Sequence, residues 1–154
     1  MVQAHVQLMP MRAALAGLLL LLGACSVRPV MPPEPLPPVE VADTSPAASL
    51  LAAADSARAR NEYSAAGRYL ERALSVSQSG EATVLYRKLA ELRLEEDKPR
   101  AAEGLALRAL REAPDHPQWQ AELWTLVAEA RDRQGDEAGR DAARDNAERL
   151  QQEP

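Results

Sequence analysis

Apolar residues recur at helical spacing through most of the chain that follows Pro46. Leu85, Leu89 and Leu92 fall on one face of a helix, and the neighbouring segments repeat the same spacing of three and four residues. The same stretch is rich in Ala, Leu, Glu and Arg and has no proline until Pro99. The pattern therefore predicts an all-α domain over residues 47–154.

Proline, glycine and short polar residues divide this domain into six helices. Ser45 before Pro46 is typical of an N-cap followed by proline at the first helical position. Gly80 and Gly135 are typical helix breaks, and Asp115 with Gln118 is close to a capping box. The predicted helices span residues 46–60, 63–78, 81–96, 99–113, 117–134 and 137–151.

Small residues recur when residues 47–78 are laid over residues 83–114, a period of 36. The shift places Ala54 on Ala90, Ala66 on Ala102, and Ala73 on Ala109. A closing proline, Pro114, follows the second unit, and a third unit begins near Ala121 with Trp124, Val127 and Ala128. This arrangement resembles the tetratricopeptide repeat family, which implies a short α-solenoid of three helical hairpins. Arg140 departs from the alanine of the motif, so the last helix is interpreted as a polar terminal cap.

In the family that the repeats resemble, the first helices of the hairpins line a protein-binding groove. The matching positions here carry mixed charge, and the dense basic set that grips a peptide carboxylate is missing. Trp119, outside the repeat pattern, is predicted to be an exposed anchor because tryptophan is enriched at binding hot spots. Tyr63, Tyr69 and Tyr86 are predicted to pack between helices. The predicted partner-binding residues are Leu51, Asp55, Arg58, Arg87, Glu91, Leu94, Trp119, Thr125, Glu129, Asp132 and Arg133.

The N-terminal segment has the pattern of a signal peptide. Arg12 precedes an uninterrupted apolar run from Ala13 to Leu22, which is about half the roughly 20 residues needed to span a bilayer. The run ends in Leu22-Gly23-Ala24-Cys25, which resembles the lipobox of bacterial lipoproteins. The resemblance implies cleavage after residue 24 and acylation of Cys25, with Ser26 favouring the outer membrane of a Gram-negative cell, periplasmic face.

A proline-rich segment separates this N-terminus from the helices, so that residues 25–46 are interpreted as an acylated cysteine and a tether. Seven of the 12 prolines lie between Arg28 and Pro46. Such a segment favours polyproline II, which gains roughly 3.1 Å per residue and gives a reach of about 60 Å. A proline-rich ligand for an aromatic groove is the alternative interpretation.

Charge and side-chain chemistry exclude several classes of function. Loss of residues 1–24 leaves 17 basic and 23 acidic side chains, a composition that argues against nucleic acid as a partner. Cys25 is the single cysteine, so no intramolecular disulfide forms. His116 is predicted to be a solvated turn residue, and Glu95, Glu96 and Asp97 a solvated helix end. No catalytic residue, metal site or cofactor is predicted.

The resulting hypothesis is a non-enzymatic adaptor, anchored by lipid, that binds a protein partner in the periplasm. The family resemblance implies roles in peptidoglycan, envelope-assembly or secretion machinery. A structural subunit that self-associates through its alanine-rich faces is the alternative, and an envelope enzyme is a third hypothesis.

Overall fold

The computed structural model describes residues 39–152, and it confirms the all-α prediction. Each helix end lies within two residues of its predicted position. The signal peptide, the acylation of Cys25 and residues 25–38 of the tether lie outside the described residues and stay predictions. The helices are α1 (Ala48–Ala59), α2 (Tyr63–Val76), α3 (Glu81–Glu95), α4 (Pro99–Glu112), α5 (Pro117–Asp132) and α6 (Glu137–Gln151).

Consecutive helices pair into three hairpins that pack in chain order. α1 packs on α2, α3 on α4, and α5 on α6, while α2 also contacts α3 and α4 contacts α5. α3 touches α5 as well, so first helices of neighbouring hairpins are adjacent. This is the repeat-like order that the period in the sequence predicts.

The turn inside each hairpin is built in the same way three times. Asn61, Asp97 and Gly135 occupy the left-handed region, with φ of 60°, 55° and 76°. Asparagine, aspartate and glycine tolerate this conformation better than other residues. In each turn the amide of the following residue donates to a carbonyl five positions back, as in a Schellman motif. Asn61 and Asp97 are 36 positions apart, so the backbone repeats with the period of the sequence.

Alanines occupy the places where helices cross. Ala54, Ala90 and Ala128 are all buried, in α1, α3 and α5 respectively. The alanines that recur in the second helices are buried too: Ala66 and Ala73 in α2, and Ala102 and Ala109 in α4. A small side chain allows two helix backbones to approach closely. The largest fully buried side chains are Leu85, Leu92, Leu123, Val127 and Thr83.

Two predicted caps differ from the observed ones. α1 begins at Ala48 rather than at residue 46, and its N-cap is Ala47. The Ser45 hydroxyl accepts a 3.1 Å hydrogen bond from the Ala47 amide and donates a 2.8 Å hydrogen bond to Glu81 at the start of α3. At α5 the cap is His116 rather than Asp115. Its Nδ1 accepts a 3.3 Å hydrogen bond from the amide of Trp119, so His116, a half-buried turn residue, caps α5.

Candidate protein-binding site

The charged groove residues predicted in the first two hairpins form ion pairs between α1 and α3, one through Lys88 and a separate chain through Arg58. Lys88 on α3 donates to Asp55 on α1 at 2.9 Å. Arg58 on α1 pairs with Glu91 at 3.3 Å and with Glu95 through its Nε at 2.9 Å. The first helices of two neighbouring hairpins are therefore joined by opposite charges that lie on their shared face.

The chain of pairs continues from α3 to α5 through Arg87. This guanidinium lies 3.0 Å from Glu91 in its own helix and 2.9 Å from Glu122 on α5. Its carbon also lies 4.7 Å from the centroid of the Trp119 ring, a distance suited to a cation–π contact. Mixed charge on this face, which the sequence predicts, is thus arranged so that the charges neutralise one another.

These pairs are partly exposed, so each contributes little to folding, typically below about 1 kcal/mol. Their effect on titration is nevertheless clear at Arg58. Hydrogen bonding to Glu95 raises the pKa of the Arg58 guanidinium, against the opposing effect of burial. A charged partner that binds on this face has to replace such contacts.

The groove residues of the third hairpin also contact their own domain. The Thr125 hydroxyl donates to the Ala121 carbonyl at 3.0 Å. Arg133 donates to the Leu94 carbonyl at 2.7 Å and pairs with Glu129 at 2.6 Å. Asp132 pairs with Arg140 on α6 at 3.0 Å, which gives a role to the arginine that departs from the repeat motif.

The two leucines predicted for the groove are not equivalent. Leu51 is half-buried against the cluster formed by α1, α2 and α3. Leu94 is only 4% exposed and packs with Ala102 and Ala130, so its prediction as a groove residue is wrong. The last turn of α3 directs Leu94 towards α4 and α5 instead.

Trp119 lies in the first turn of α5, where it is half-buried rather than freely exposed. Its ring is covered on one side by Arg87, and its Nε1 is buried with no hydrogen-bond partner among the described residues. Binding of a partner by Trp119 stays a prediction.

The acidic run at the end of α3 is only partly the solvated terminus that the sequence predicts, because Glu95 and Asp97 are exposed but Glu96 is not. The side chain of Glu96 is 10% exposed and pairs with Lys98 at 3.3 Å and with Arg93. Burial disfavours its charge, but the hydrogen bonds from Arg93 and Lys98 outweigh that effect and lower the pKa of Glu96. Glu95 pairs with Arg58, so the run connects helices.

An open concavity of about 480 Å³ lies at the end of the first-helix face. It is lined by residues of α1, α3 and the first turn: Asp55, Arg58, Ala59, Asn61, Tyr63 and Glu95. Half of these side chains, those of Asp55, Arg58 and Glu95, belong to the ion pairs above. The hydroxyl of Tyr63 donates to the Asn61 side chain at 3.1 Å, which couples the rim of this concavity to the turn.

Tyr69 is the clearest departure from the predicted core. It is 40% exposed on α2, whereas Tyr63 and Tyr86 are half-buried as predicted for packing residues. Tyr86 packs under the guanidinium of Arg108, 4.6 Å from its ring centroid.

In the described part of the chain, no group of three or more His, Cys, Asp or Glu side chains is placed to hold a metal ion. Across residues 39–152 no helix has the length and apolar character needed to cross a bilayer.

The fold and this face together define a class of protein: an all-α, repeat-like domain that presents helix surfaces. No protein-family model matches the chain, and no curated protein matches it. A solved structure does match: the globular C-terminal domain of LpoP from P. aeruginosa, with a TM-score of 0.62 and 34% sequence identity. The match covers 67% of this chain and 95% of the LpoP domain. The chain belongs to the family of the LpoP C-terminal domain.

Proposed function

We propose that this protein is a lipid-anchored, non-enzymatic adaptor that binds a protein partner in the periplasm. Its helical domain is the binding module, and acylated Cys25 with the proline-rich tether holds that module at the outer membrane. The observation that carries the proposal is the relationship to the LpoP domain, which is a globular C-terminal domain in its own protein. In this chain the helices likewise form the C-terminal part, after a segment rich in proline.

Assignment of the helices to the tetratricopeptide class is part of this proposal. Two features support it: the alanines buried at equivalent crossings, and the left-handed turn repeated in each hairpin. Domains of this class generally work by presenting helix faces to other proteins. Leu51, Asp55, Arg58, Arg87, Glu91, Trp119, Thr125, Glu129, Asp132 and Arg133 remain the proposed partner-binding residues of the first-helix face.

A partner in the peptidoglycan machinery lies within reach of a domain tethered in this way. The predicted reach of about 60 Å for residues 28–46 is too long, because Val41 packs against the helical core and Ser45 is bonded to Glu81. The predicted polyproline II tether is therefore residues 28–38, which would extend roughly 34 Å from the anchor towards the cell wall. Envelope-assembly and secretion complexes are the other partners that this position allows. A self-associating subunit would instead show a mass that rises with protein concentration in the absence of any partner.

The anchor is tested by changing Cys25 to Ala in the full chain and fractionating cells. The unchanged protein should sediment with membranes, while Cys25→Ala should be released or retained only by its uncleaved signal. Labelling with radioactive palmitate distinguishes these forms, because only the acylated chain incorporates label. Ser26→Asp serves as the matched variant, since it keeps Cys25 and should move the protein to inner-membrane fractions. Palmitate incorporation by Cys25→Ala would contradict the proposed anchor.

A further inference from the structure

The outer face of α2 differs from every other charged surface described above. Ala65, Arg68, Tyr69, Arg72 and Val76 follow one another at helical spacing and form a single stripe, here called the α2 stripe. Tyr69 and Val76 are each 40% exposed, and they are the exposed large hydrophobic side chains of residues 39–152. Arg68 and Arg72 are exposed on either side of Tyr69.

The stripe also has a defined shape. Ala65, Arg68, Tyr69 and Arg72 line a concavity of about 340 Å³ on this face. A tyrosine flanked by two arginines combines residue types that are enriched at binding hot spots. Tyrosine supplies a rigid apolar surface, and the guanidinium groups supply donors suited to carboxylates.

The two arginines of the stripe have no ion pair or side-chain hydrogen bond within residues 39–152. The nearest acid along the helix, Glu71, turns towards α3 and pairs with Arg93 at 3.3 Å. At the start of the helix, Glu62 is held by Arg60 at 2.9 Å. The basic side chains of the first-helix face, in contrast, are all neutralised by neighbours.

Other arginines of the second helices also have no ion pair in the described part of the chain, but their surroundings differ. Arg111 on α4 is followed by exposed Glu112, and Arg144 on α6 is followed by exposed Asp145. Neither position has an exposed large hydrophobic side chain beside it. Arg111 and Arg144 therefore provide matched controls for the arginines of the stripe.

We propose that the α2 stripe is the docking site for an acidic segment of the partner protein. This inference rests on the proposed adaptor function and names the surface and the chemistry of its partner. The whole chain is acidic, with a net charge of −5, so the two arginines of the stripe, which have no ion pair within residues 39–152, have the opposite sign to the net charge of the chain. Its electrostatic complement is a segment rich in Asp and Glu with an apolar side chain to cover Tyr69.

An anionic membrane is a weaker candidate for this surface. Each basic residue contributes only about 1 kcal/mol of attraction to such a membrane, and stable recruitment typically uses a cluster of four to eight. The stripe offers two. A short acidic peptide can instead contact both arginines and the concavity at once.

The site is tested by photo-crosslinking in cells with the full chain. A benzoylphenylalanine replaces Tyr69 on the stripe or Thr125 on the first-helix face. Each of these two crosslinking proteins is made in three backgrounds. The first is the unchanged chain, the second carries Arg68→Glu and Arg72→Glu together, and the third carries the control pair Arg111→Glu and Arg144→Glu. We expect one protein adduct from position 69, reduced about tenfold or more by the first pair and unchanged by the second.

Mass spectrometry then locates the attachment point, which should lie in a segment rich in Asp and Glu. Changing those acidic residues to Lys should restore the adduct with the Arg68→Glu, Arg72→Glu chain, because the charge complementarity returns. A purified full chain in detergent should likewise bind a ten-residue peptide of alternating Glu and Leu, and not the same peptide with Lys in place of Glu.

The remaining outcomes separate this inference from the proposed function. An adduct only from position 125 would overturn the α2 stripe and leave the adaptor function standing. No protein adduct from either position would contradict both. A self-adduct at position 69 would make the stripe an interface between copies. Binding to phosphatidylglycerol vesicles that depends on Arg68 and Arg72, without binding to the Glu peptide, would assign it to the membrane.

Discussion

The contact between Ser45 and Glu81 predicts how firmly the end of the tether is attached to the helical domain. Glu81 is the first residue of α3 and is only 5% exposed. One of its oxygens accepts 2.8 Å hydrogen bonds from the Ser45 hydroxyl and from the Gln78 amide. Glu81→Gln keeps the shape and both acceptor contacts, but it removes the negative charge that strengthens them.

The size of this effect follows from the two bonds. A hydrogen bond to a charged group contributes about 1.5–3 kcal/mol, against about 0.5–1.5 kcal/mol between neutral groups. Two weakened bonds, offset by the easier burial of an amide, give a loss of about 2 kcal/mol at pH 7. For a domain of this size that loss lowers Tm by roughly 10 °C. The measurement is thermal unfolding followed by circular dichroism.

Glu137→Gln is the matched control. Glu137 is also the first residue of its helix, α6, but it is exposed. Its substitution removes only the favourable interaction of a carboxylate with the helix N-terminus, about 0.3–1 kcal/mol. The difference between the two variants isolates the buried contacts of Glu81.

The pH dependence gives an independent check. Burial raises the pKa of Glu81, but hydrogen bonding by the Gln78 amide, the Ser45 hydroxyl and the Ala42 amide outweighs it, and the pKa of this carboxyl is lowered. A lowered folded-state pKa means that its stabilisation is complete above the unfolded value of about 4.3 and is lost as pH falls through the folded-state value. The Tm difference between the original chain and Glu81→Gln should therefore shrink in acid. Equal Tm values at pH 7, or a gap that widens in acid, would refute the reasoning.

Substitutions at three further positions test two buried side chains and one helix cap. Thr83→Val should raise the unfolding free energy by about 1 kcal/mol in urea titrations, because the buried Thr83 hydroxyl has no hydrogen-bond partner within residues 39–152. A loss of stability would show that this hydroxyl does have a hydrogen-bond partner. Leu85→Ala should cost about 3 kcal/mol in the same assay, since Leu85 is fully buried between the first two hairpins, and a loss below 1 kcal/mol would contradict that packing. Asp136→Ala should cost about 1 kcal/mol, because its carboxylate accepts a 2.9 Å hydrogen bond from the Gly139 amide at the start of α6; Asp136→Asn, which keeps the acceptor, should be nearly neutral.

Local signals were sufficient for the helices. Apolar spacing, prolines at residues 99 and 117, and glycines at residues 80 and 135 gave helix ends within two residues of those observed. These signals act within one turn of chain, so they can be read without the fold. The period of 36 also indicated which alanines would be buried at helix crossings, because close packing of two helices requires a small side chain there.

Side-chain environment was predicted less well. Leu94 and Tyr69 both fit helical patterns, yet Leu94 is buried and Tyr69 is exposed. A helical pattern shows which residues share a face, but not how wide the covered part of that face is. That width depends on how closely the next helix approaches. His116 and Ser45 likewise take roles set by the orientation of neighbouring chain segments.

The sequence by itself determined the all-α class, the six helices and the register of small residues between hairpins, because propensity, periodicity and turn chemistry are local properties. Only the tertiary structure decided which charges neutralise each other and which remain open. Arg58 and Arg87 form ion pairs with acids on neighbouring helices, while Arg68 and Arg72 form none within residues 39–152. Ion pairing depends on distances of a few ångströms between residues more than thirty positions apart, and those distances exist only once the helices have packed.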